Sequence, residues 1–479
     1  MSASLFSFLT RQERTDPERT YLHGDFGQIS YGETLKLVRQ LGHYLASFDC
    51  LSTRRSVGIS TESPEYIACA AWAAILADMS IIFLPMCRNP ELMRRAMEET
   101  SVEMLLTDEP ALLQEAWCLD LKDIMQRILS GDLPGETTAK ALHTTRYESD
   151  AAFIFQTSGT AGEPKWVQCE YRKFSAVINC MLQNGVLTHA RGQSVFLTPP
   201  LYHSYGLSAF LEYTSAGGTI IFPQGTSPLG PVGDLRDPGL RNNVTAIEGV
   251  PYFYHQLSKL AERFMMPALS HLGLGGGGLD KFTFEKLLEV YPAVTVSVRY
   301  GMTETPSVVS QKLFRPPFRE GWGSSGAVLP VYNVGIVDGS GRILDSNQEG
   351  EIAVSGDCVG SYLGQSGGSR LLTGDTGYIN DSNELVVKGR TSLYIKNRGF
   401  RISPEQVESV IISCPGVHDC RVRMSNSRLV AEIVYDDGIS PGDILAFMGT
   451  RLPGYAIADE LVRVESIPRT SSGKIRRRH

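Results

Sequence analysis

Ala152-Phe-Ile-Phe-Gln-Thr-Ser-Gly-Thr-Ala-Gly-Glu-Pro-Lys165 is the stretch from which the fold of this chain is read. Its first four residues, Ala152 to Phe155, are a short apolar run of β type, and the segment from Gln156 onward is dense in hydroxyls and glycines and ends on a lysine. Backbone amides of such a loop can converge on phosphate oxygens, with glycine permitting close approach and the hydroxyls adding donors. It is not a Walker loop, because G-x-x-x-x-G-K-[ST] is missing, and the other glycine-lysine pair, Gly473-Lys474, is followed by Ile475. Taken alone, the same cluster also makes an ordinary turn.

Similar β-type runs recur at Val57 to Ser60, Ser194 to Leu197, Thr219 to Phe222 and Thr295 to Val298, each followed by a loop and a helical pattern. That rhythm predicts an α/β architecture with largely parallel sheets, whose ligands bind beyond the carboxyl ends of strands. From Val334 the texture changes to short strands with tight turns at Asp338-Gly339, Gly350-Glu351 and Asn380-Asp381, which predicts an antiparallel, barrel-like segment. After Arg390 the chain reads as a compact mixed unit with a helix from Pro404 to Ile412 and a closing loop from Pro468 to Lys474. About ninety residues suffice for a small domain.

Composition bounds the rest. The 479 residues are 42% hydrophobic, 9% aromatic and 20% charged, with a net charge of −7, so disorder is excluded and electrostatic capture of nucleic acid is not expected. At roughly 150 residues per domain the chain makes two or three folding units. Its nine cysteines are scattered without a C-x-x-C pair, which suggests neither a zinc knuckle nor a disulfide framework and fits a reducing, cytoplasmic setting. The apolar patch Leu5, Phe6, Phe8, Leu9 lacks a basic region before it, so no signal peptide is read. The apolar stretch Tyr66 to Cys87 is broken by Asp78 and bent by Pro85. It therefore predicts a helix from Tyr66 to Leu76 feeding a buried strand from Ile81 to Leu84, not a membrane span.

Five segments give the chain a family. Thr157-Ser-Gly-Thr-Ala-Gly-Glu-Pro-Lys165, Tyr300-Gly-Met-Thr-Glu304, Thr373-Gly-Asp375, Gly389-Arg390 with Ile395-Lys396, and Pro468-Arg-Thr-Ser-Ser-Gly-Lys474 follow one another at plausible spacing. Together they resemble the AMP-forming acyl/aryl-CoA synthetase family, which includes peptide-synthetase adenylation domains and luciferases. The resemblance covers nearly the whole chain. It implies a large N-terminal adenylate-forming domain over residues 1–390, two sheets packed with helices plus a small β-barrel, and a small mobile C-terminal α+β domain over residues 391–479.

The implied chemistry is carboxylate plus ATP to acyl-adenylate and pyrophosphate, followed by capture on a thiol. Two anions must approach one another, which calls for hydrogen-bond donors, a divalent cation and a lysine. By resemblance, Thr157, Ser158 and Thr160 hold the β- and γ-phosphates, with Gly159 and Lys165 in the same nucleotide loop. Thr303 would hold the α-phosphate and Glu304 would bind Mg²⁺, an ion that takes few carboxylates and bridges phosphate oxygens. Tyr300 would stack on adenine, with Gly275, Gly276 and Gly277 on the other side. Asp375 would accept both ribose hydroxyls beside Arg390. Lys474 would reach the carboxylate and α-phosphate oxygens as the catalytic lysine. Without the surrounding motifs Tyr300 reads rather as a core aromatic at a strand end and Thr373-Gly-Asp375 as only a turn.

Gly389-Arg390 resembles the junction about which the small domain rotates, although Ser392 stands where the family usually has Asp or Lys. Lys396 and Gly399 would then line the thiol tunnel. In Pro200-Leu-Tyr-His-Ser-Tyr-Gly206, His203 lies beside the acid by resemblance, and Ser204 stands where amino-acid-activating members carry an aspartate. An α-amino acid is therefore not expected. Val250, Tyr252, Tyr254, Gly276 to Gly278 and Gly301 complete the pocket, and a lone His such as His203 also serves structural roles. Trp166 follows Lys165 where the family prefers Gly. Tyr362 to Ser369 superficially resembles a carrier-protein serine site but precedes Asp375 and reads as a loop.

The expectation is a stand-alone acid:thiol ligase acting on an aryl or medium acyl acid. No carrier domain is seen after Lys474, so the thiol would come from coenzyme A or from the phosphopantetheine of a separate acyl or peptidyl carrier protein. Adenylation with a non-thiol acceptor, as in luciferase, stands as an alternative. So does a family member that binds nucleotide or partner without turnover.

Overall fold

The computed structural model describes residues 4–24, 26–48, 56–84, 89–102, 104–109, 111–115, 117–132, 150–158, 164–187, 190–225, 230–278, 281–317, 323–365, 370–393, 395–397, 400–425, 428–470 and 474–477. Two large sheets dominate. One has nine strands in the spatial order Ala327–Val328, Ser310–Phe314, Thr295–Tyr300, His271–Leu274, Ala246–Gly249, Ser194–Leu197, Thr219–Ile221, Thr20–Gly24 and Gly27–Ser30. The six from Thr295–Tyr300 to Thr20–Gly24 run parallel and the outer ones antiparallel. The other has seven strands, Ser361–Tyr362, Pro164–Glu170, Ala152–Ser158, Ser80–Phe83, Ser56–Ser60, Leu105–Thr107 and Cys118–Asp120, of which the last five are parallel.

Between them lies an unusually apolar helix, Pro64–Leu76, ten of whose residues are buried. A helix apolar all round can only be a core element. Proline opens it, where a missing N–H costs nothing. It packs on the helix Tyr31–Ala46, which begins with a reciprocal cap: Glu33 N donates to Ser30 Oγ at 3.2 Å and Ser30 N donates to Glu33 Oε2 at 2.7 Å. Gly42 lets the two backbones meet, since a Cβ there would stand 3.3 Å from Ala73 O. The polar groups of Trp72 and Tyr21 in this core are paired: Trp72 Nε1 donates to Tyr21 Oη at 3.0 Å, and Tyr21 Oη lies 2.7 Å from Thr214 Oγ1. The N-terminal apolar patch forms the helix Leu5–Thr15, with Leu5, Phe8 and Leu9 in the core.

Several elements run further than the sequence pattern alone indicates. The strand expected at Ala152 to Phe155 continues to Ser158, because Gln156, Thr157 and Ser158 pair with Trp166, Lys165 and Pro164. The strand expected at Thr295 to Val298 continues to Tyr300, paired with Ser310. One expected turn is corrected. Gly350-Glu351 opens the strand Gly350–Ser355, and glycine is required there because a Cβ would stand 2.4 Å from Val337 O. The expected turns at Asp338 and Asn380 are tied by their own side chains, which accept from Ser340 N and Ser382 N at 2.9 and 3.0 Å.

The barrel-like segment is, among the described residues, a four-stranded antiparallel sheet ordered Asn333–Val337, Gly350–Ser355, Leu371–Ile379 and Leu385–Arg390, extended by a bridge from Leu385 to Gly326. Beyond it the chain builds a separate core. The strands Val417–Ser425, Arg428–Tyr435 and Glu460–Arg463 pack under the helices Pro404–Ile412 and Pro441–Gly449, around Val407, Ile411, Cys420, Ile433 and Met448. Glu408 fixes this unit to the chain's end through Arg477, at 2.7 and 2.6 Å. Among the described residues no helix is long and apolar enough to cross a membrane.

Candidate active site

The carboxyl ends of the parallel strands Ala246–Gly249, His271–Leu274 and Thr295–Tyr300 lie side by side, and each delivers a loop to the same edge. After Leu274 comes Gly275, where a Cβ would sit 2.8 Å from the Tyr205 ring. Gly276 has φ +78° and its Cβ position lies 3.5 Å from Val250 Cγ1, while that of Gly277 lies 3.2 Å from Pro251 Cγ. A side chain at Gly275 or Gly277 would press on Tyr205 or Pro251, and at Gly276 the positive φ disfavours one. Tyr205 thus packs directly on this glycine segment, and sequence reasoning gave it no role.

Its hydroxyl donates to Glu248 Oε2 at 2.8 Å. Behind it Arg299 joins Glu248 Oε1 at 3.0 Å to Glu212 Oε2 at 2.7 Å, with all three side chains essentially buried. Burial alone lowers the Arg299 pKa, but the two carboxylates more than offset it and leave it above the ordinary value. Burial raises the Glu212 pKa. The network pins the strand that ends in Tyr300 to the helix Ser204–Ser215, and Arg299 precedes Tyr300 directly.

Tyr300 donates to Asp375 Oδ2 at 2.9 Å, and Arg390 Nε donates to Asp375 Oδ1 at 3.0 Å. Burial first and Asp375 second raise the Tyr300 pKa, so the phenol stays a donor. A carboxylate offers about four acceptor positions, so two remain on Asp375 for further donors. Glu304 Oε1 accepts from Tyr362 Oη at 3.1 Å, and Lys165 Nζ lies 5.0 Å over the Tyr362 ring. The Thr303–Glu304 backbone is clamped by Cys169 Sγ on Thr303 O at 3.2 Å and by Gly360 N on Glu304 O at 2.7 Å. Thr303 Oγ1 accepts from Ser204 Oγ at 3.3 Å. A cavity of about 290 Å³ opens beside Lys165, Trp166 and Tyr362, apart from the acid-pocket residues.

His203 stands at the N-cap of Ser204–Ser215. Burial first, then Lys474, lowers its pKa from 6.5 to about 4, so the ring is neutral near pH 7. Lys474 comes from the far end of the chain. Its surface is open, yet enough protein surrounds it that desolvation lowers its pKa; Arg390 lowers it further, and Asp375, Glu405 and Glu304 raise it. His203, Glu304, Asp375, Arg390 and Lys474 thus lie within one electrostatic neighbourhood. The turn bearing Lys474 is closed by Thr470 N on Lys474 O at 2.8 Å and Lys474 N on Thr470 Oγ1 at 3.1 Å.

Thr157 Oγ1 donates to Lys165 O at 3.3 Å, across the mouth of the hydroxyl-rich loop. Gly159, Thr160 and the Ser158 side chain lie outside the described residues, as do Gly399 and the side chains of Ser392 and Lys396. The backbone at 392 belongs to a 3-10 turn, Thr391–Leu393, and Lys396 pairs with Arg401. Gly389 before it has φ +148°. Gly301 is held so close to Ser307 that any side chain would overlap its carbonyl. Tyr254 is fully buried, its hydroxyl donating to Gly273 O at 2.6 Å, and Tyr252 carries the Arg469 guanidinium 4.0 Å above its ring.

A family model described as AMP-binding enzyme matches residues 9–362, and one described as AMP-binding enzyme C-terminal domain matches residues 406–474. Acyl-CoA ligase ppsA of Aspergillus oryzae is 31% identical over 392 residues, 74% of this chain and 66% of its own length. The match to 4-coumarate–CoA ligase 3 of Oryza sativa likewise spans only 64% of that protein. The 2-succinylbenzoate–CoA ligase of Bacillus subtilis is 26% identical over 490 residues, covering 98% of this chain and 96% of that one. Among solved structures, O-succinylbenzoate coenzyme A synthetase from Bacillus subtilis in complex with ATP and magnesium ion has a TM-score of 0.78 at 25% identity, covering 98% of each chain. The anthranilate CoA ligase AuaEII in complex with anthranoyl-AMP, at 17% identity and a TM-score of 0.80, shares the fold.

Proposed function

The chain belongs to the AMP-binding enzyme family, and from that premise we propose that it is an ATP-dependent, AMP-forming ligase that joins a non-amino-acid carboxylate to a thiol. The carrying observation is that Lys474, near the C-terminus, shares one electrostatic neighbourhood with the neutral ring of His203 and the charges of Glu304, Asp375 and Arg390, residues far from it in the chain. In this reading residues 1–390 bind acid and nucleotide, and residues 391–479 supply the lysine.

Each step has a group to perform it. Asp375, with two acceptor positions to spare, takes the ribose hydroxyls, and Tyr300 and Arg390 hold it in place. Thr157, Ser158, Gly159, Thr160 and Lys165 bind the terminal phosphates, and Thr303 binds the α-phosphate. Glu304 gives one oxygen to Tyr362, and its other oxygen would hold Mg²⁺, an ion that takes few carboxylates. That ion supplies charge neutralisation when bound. Neutral His203 orients the acid's carboxylate without competing for it as a cation. Lys474 then donates to the oxygens on which negative charge develops as the carboxylate attacks phosphorus and pyrophosphate leaves. The thiol afterwards attacks the acyl carbon and AMP departs.

The acid is aryl or medium acyl. Support comes from Ser204, whose hydroxyl is directed to Thr303 and which offers no carboxylate to an ammonium, and from the Tyr205, Val250 and glycine walls. The full-length relatives named for 2-succinylbenzoate favour an aryl acid and coenzyme A as the thiol. The test is product analysis: AMP and a thioester should appear only when acid, ATP, Mg²⁺ and coenzyme A are all present. AMP release with no thioester would contradict the thiol step.

A further inference from the structure

One face of the helix Pro251–Leu260 touches the C-terminal unit, and it does so through residues 252, 255 and 259, spaced as neighbours on a helix surface. The Arg469 guanidinium carbon lies 4.0 Å from the centroid of the Tyr252 ring. The same guanidinium is aimed by Asp419, which accepts from Nε at 3.1 Å and Nη2 at 2.5 Å. His255 Nε2 lies 3.2 Å from His418 O, and Lys259 Nζ lies 3.2 Å from both His418 O and Nδ1. One strand residue, His418, and one arginine, held by His418's neighbour Asp419, thus dock on three side chains of one helix.

Both ends of this contact lead to the chemistry. Arg469 pairs with Ile475 across the turn whose closing bonds join Thr470 to Lys474. Tyr252 follows Val250 and Pro251, the residues against which Gly276 and Gly277 pack. We propose that Tyr252 and Arg469 are positioning residues for Lys474. The cation–π contact fixes the orientation of the C-terminal unit in which the lysine meets the acid, and it ties that orientation to the wall of the acid pocket. This rests on the reading of Lys474 as the adenylating lysine.

Two readouts test it. In hydrogen–deuterium exchange on the full chain, Arg469→Ala should raise amide exchange within residues 251–260, although the substitution lies on the other unit. A change confined to the C-terminal unit would overturn the contact. In half-reaction assays, Arg469→Ala and Tyr252→Ala should each lower acid-dependent ATP–pyrophosphate exchange about 10-fold, within the ~100-fold that a small misplacement far from the chemistry can cost. Thioester formation from supplied acyl-adenylate should change far less in Arg469→Ala, and Tyr252→Phe, which keeps the ring face, should recover most of what Tyr252→Ala loses. Equal loss in both half-reactions, or no recovery by phenylalanine, would overturn the positioning role. Altered amide exchange in a protein that adenylates no acid would instead sink the ligase reading and leave the contact standing.

Discussion

Lys474 carries a positive charge into surroundings that discourage one. Desolvation by the protein crowded around its open surface and the charge of Arg390 depress its pKa, and Asp375, Glu405 and Glu304 recover only part of it. In the proposed role, anionic substrates beside Lys474 would hold that charge more firmly. Lys474→Ala should lower the adenylation rate about 100- to 1,000-fold, the usual cost of one well-aimed donor. Thioester formation from supplied adenylate should remain largely intact, and equal loss of both would argue for a structural lysine. His203 and His255 shift in the same sense as a carboxylate held in an ion pair, each with its pKa lowered on folding. Their pKa values fall from 6.5 to about 4 and about 3, so between pH 6.5 and those values the folded chain binds fewer protons than the unfolded chain. Their contribution to stability is complete above pH 6.5 and is lost as pH falls through about 4 and then 3. Urea midpoints should drop from pH 7 to pH 5, and His203→Gln should flatten that drop; an unchanged slope would mean that His203 is not held neutral. At this scale Thr303, Glu304, Asp375 and Lys474 are legible because each sits in a short motif of fixed spacing. The Glu212–Arg299–Glu248 network is not, since its partners lie 51 and 87 residues apart and no local pattern marks them.

Among the elements, the legible ones are those whose pattern is complete in itself. The helix expected from Pro404 to Ile412 and the strand expected from Ser194 to Leu197 have those bounds in the structure, the first opened by proline. Strand ends are harder: hydrogen bonds to a partner, not side-chain alternation, carry Ala152–Ser158 and Thr295–Tyr300 past their apolar runs. Gly350 reads as a turn because glycine in sequence does not reveal whether it serves φ or close approach; here it is approach, to Val337 O. The junction Gly389-Arg390 followed by the 3-10 turn Thr391–Leu393 is the element on which the second half-reaction should depend. Ser392→Pro, by fixing φ, should leave ATP–pyrophosphate exchange in place and slow thioester formation severalfold. Equal rates of thioester formation in the variant and the parent would place the pivot elsewhere.

For the molecule as a whole, the two large sheets, the antiparallel segment and the C-terminal unit each hold a share of one site. In the function proposed above, the first would supply walls and nucleotide contacts, the second Asp375 and Arg390, and the third Lys474. Motif order announces this division, but sequence does not show that the C-terminal unit docks through Arg469 on Tyr252, residues far apart in the chain and ordinary in type. Nor does it show how Tyr205 is braced, because a wall residue is defined by what surrounds it. The central claim is that this assembly adenylates a carboxylic acid other than an amino acid. The most direct measurement is acid-dependent ATP–pyrophosphate exchange with Mg²⁺ across aryl, fatty, dicarboxylic and amino acids. Exchange with an aryl or medium acyl acid and none with amino acids is the predicted result; silence across the panel in a protein that binds ATP, or exchange with amino acids alone, would contradict it.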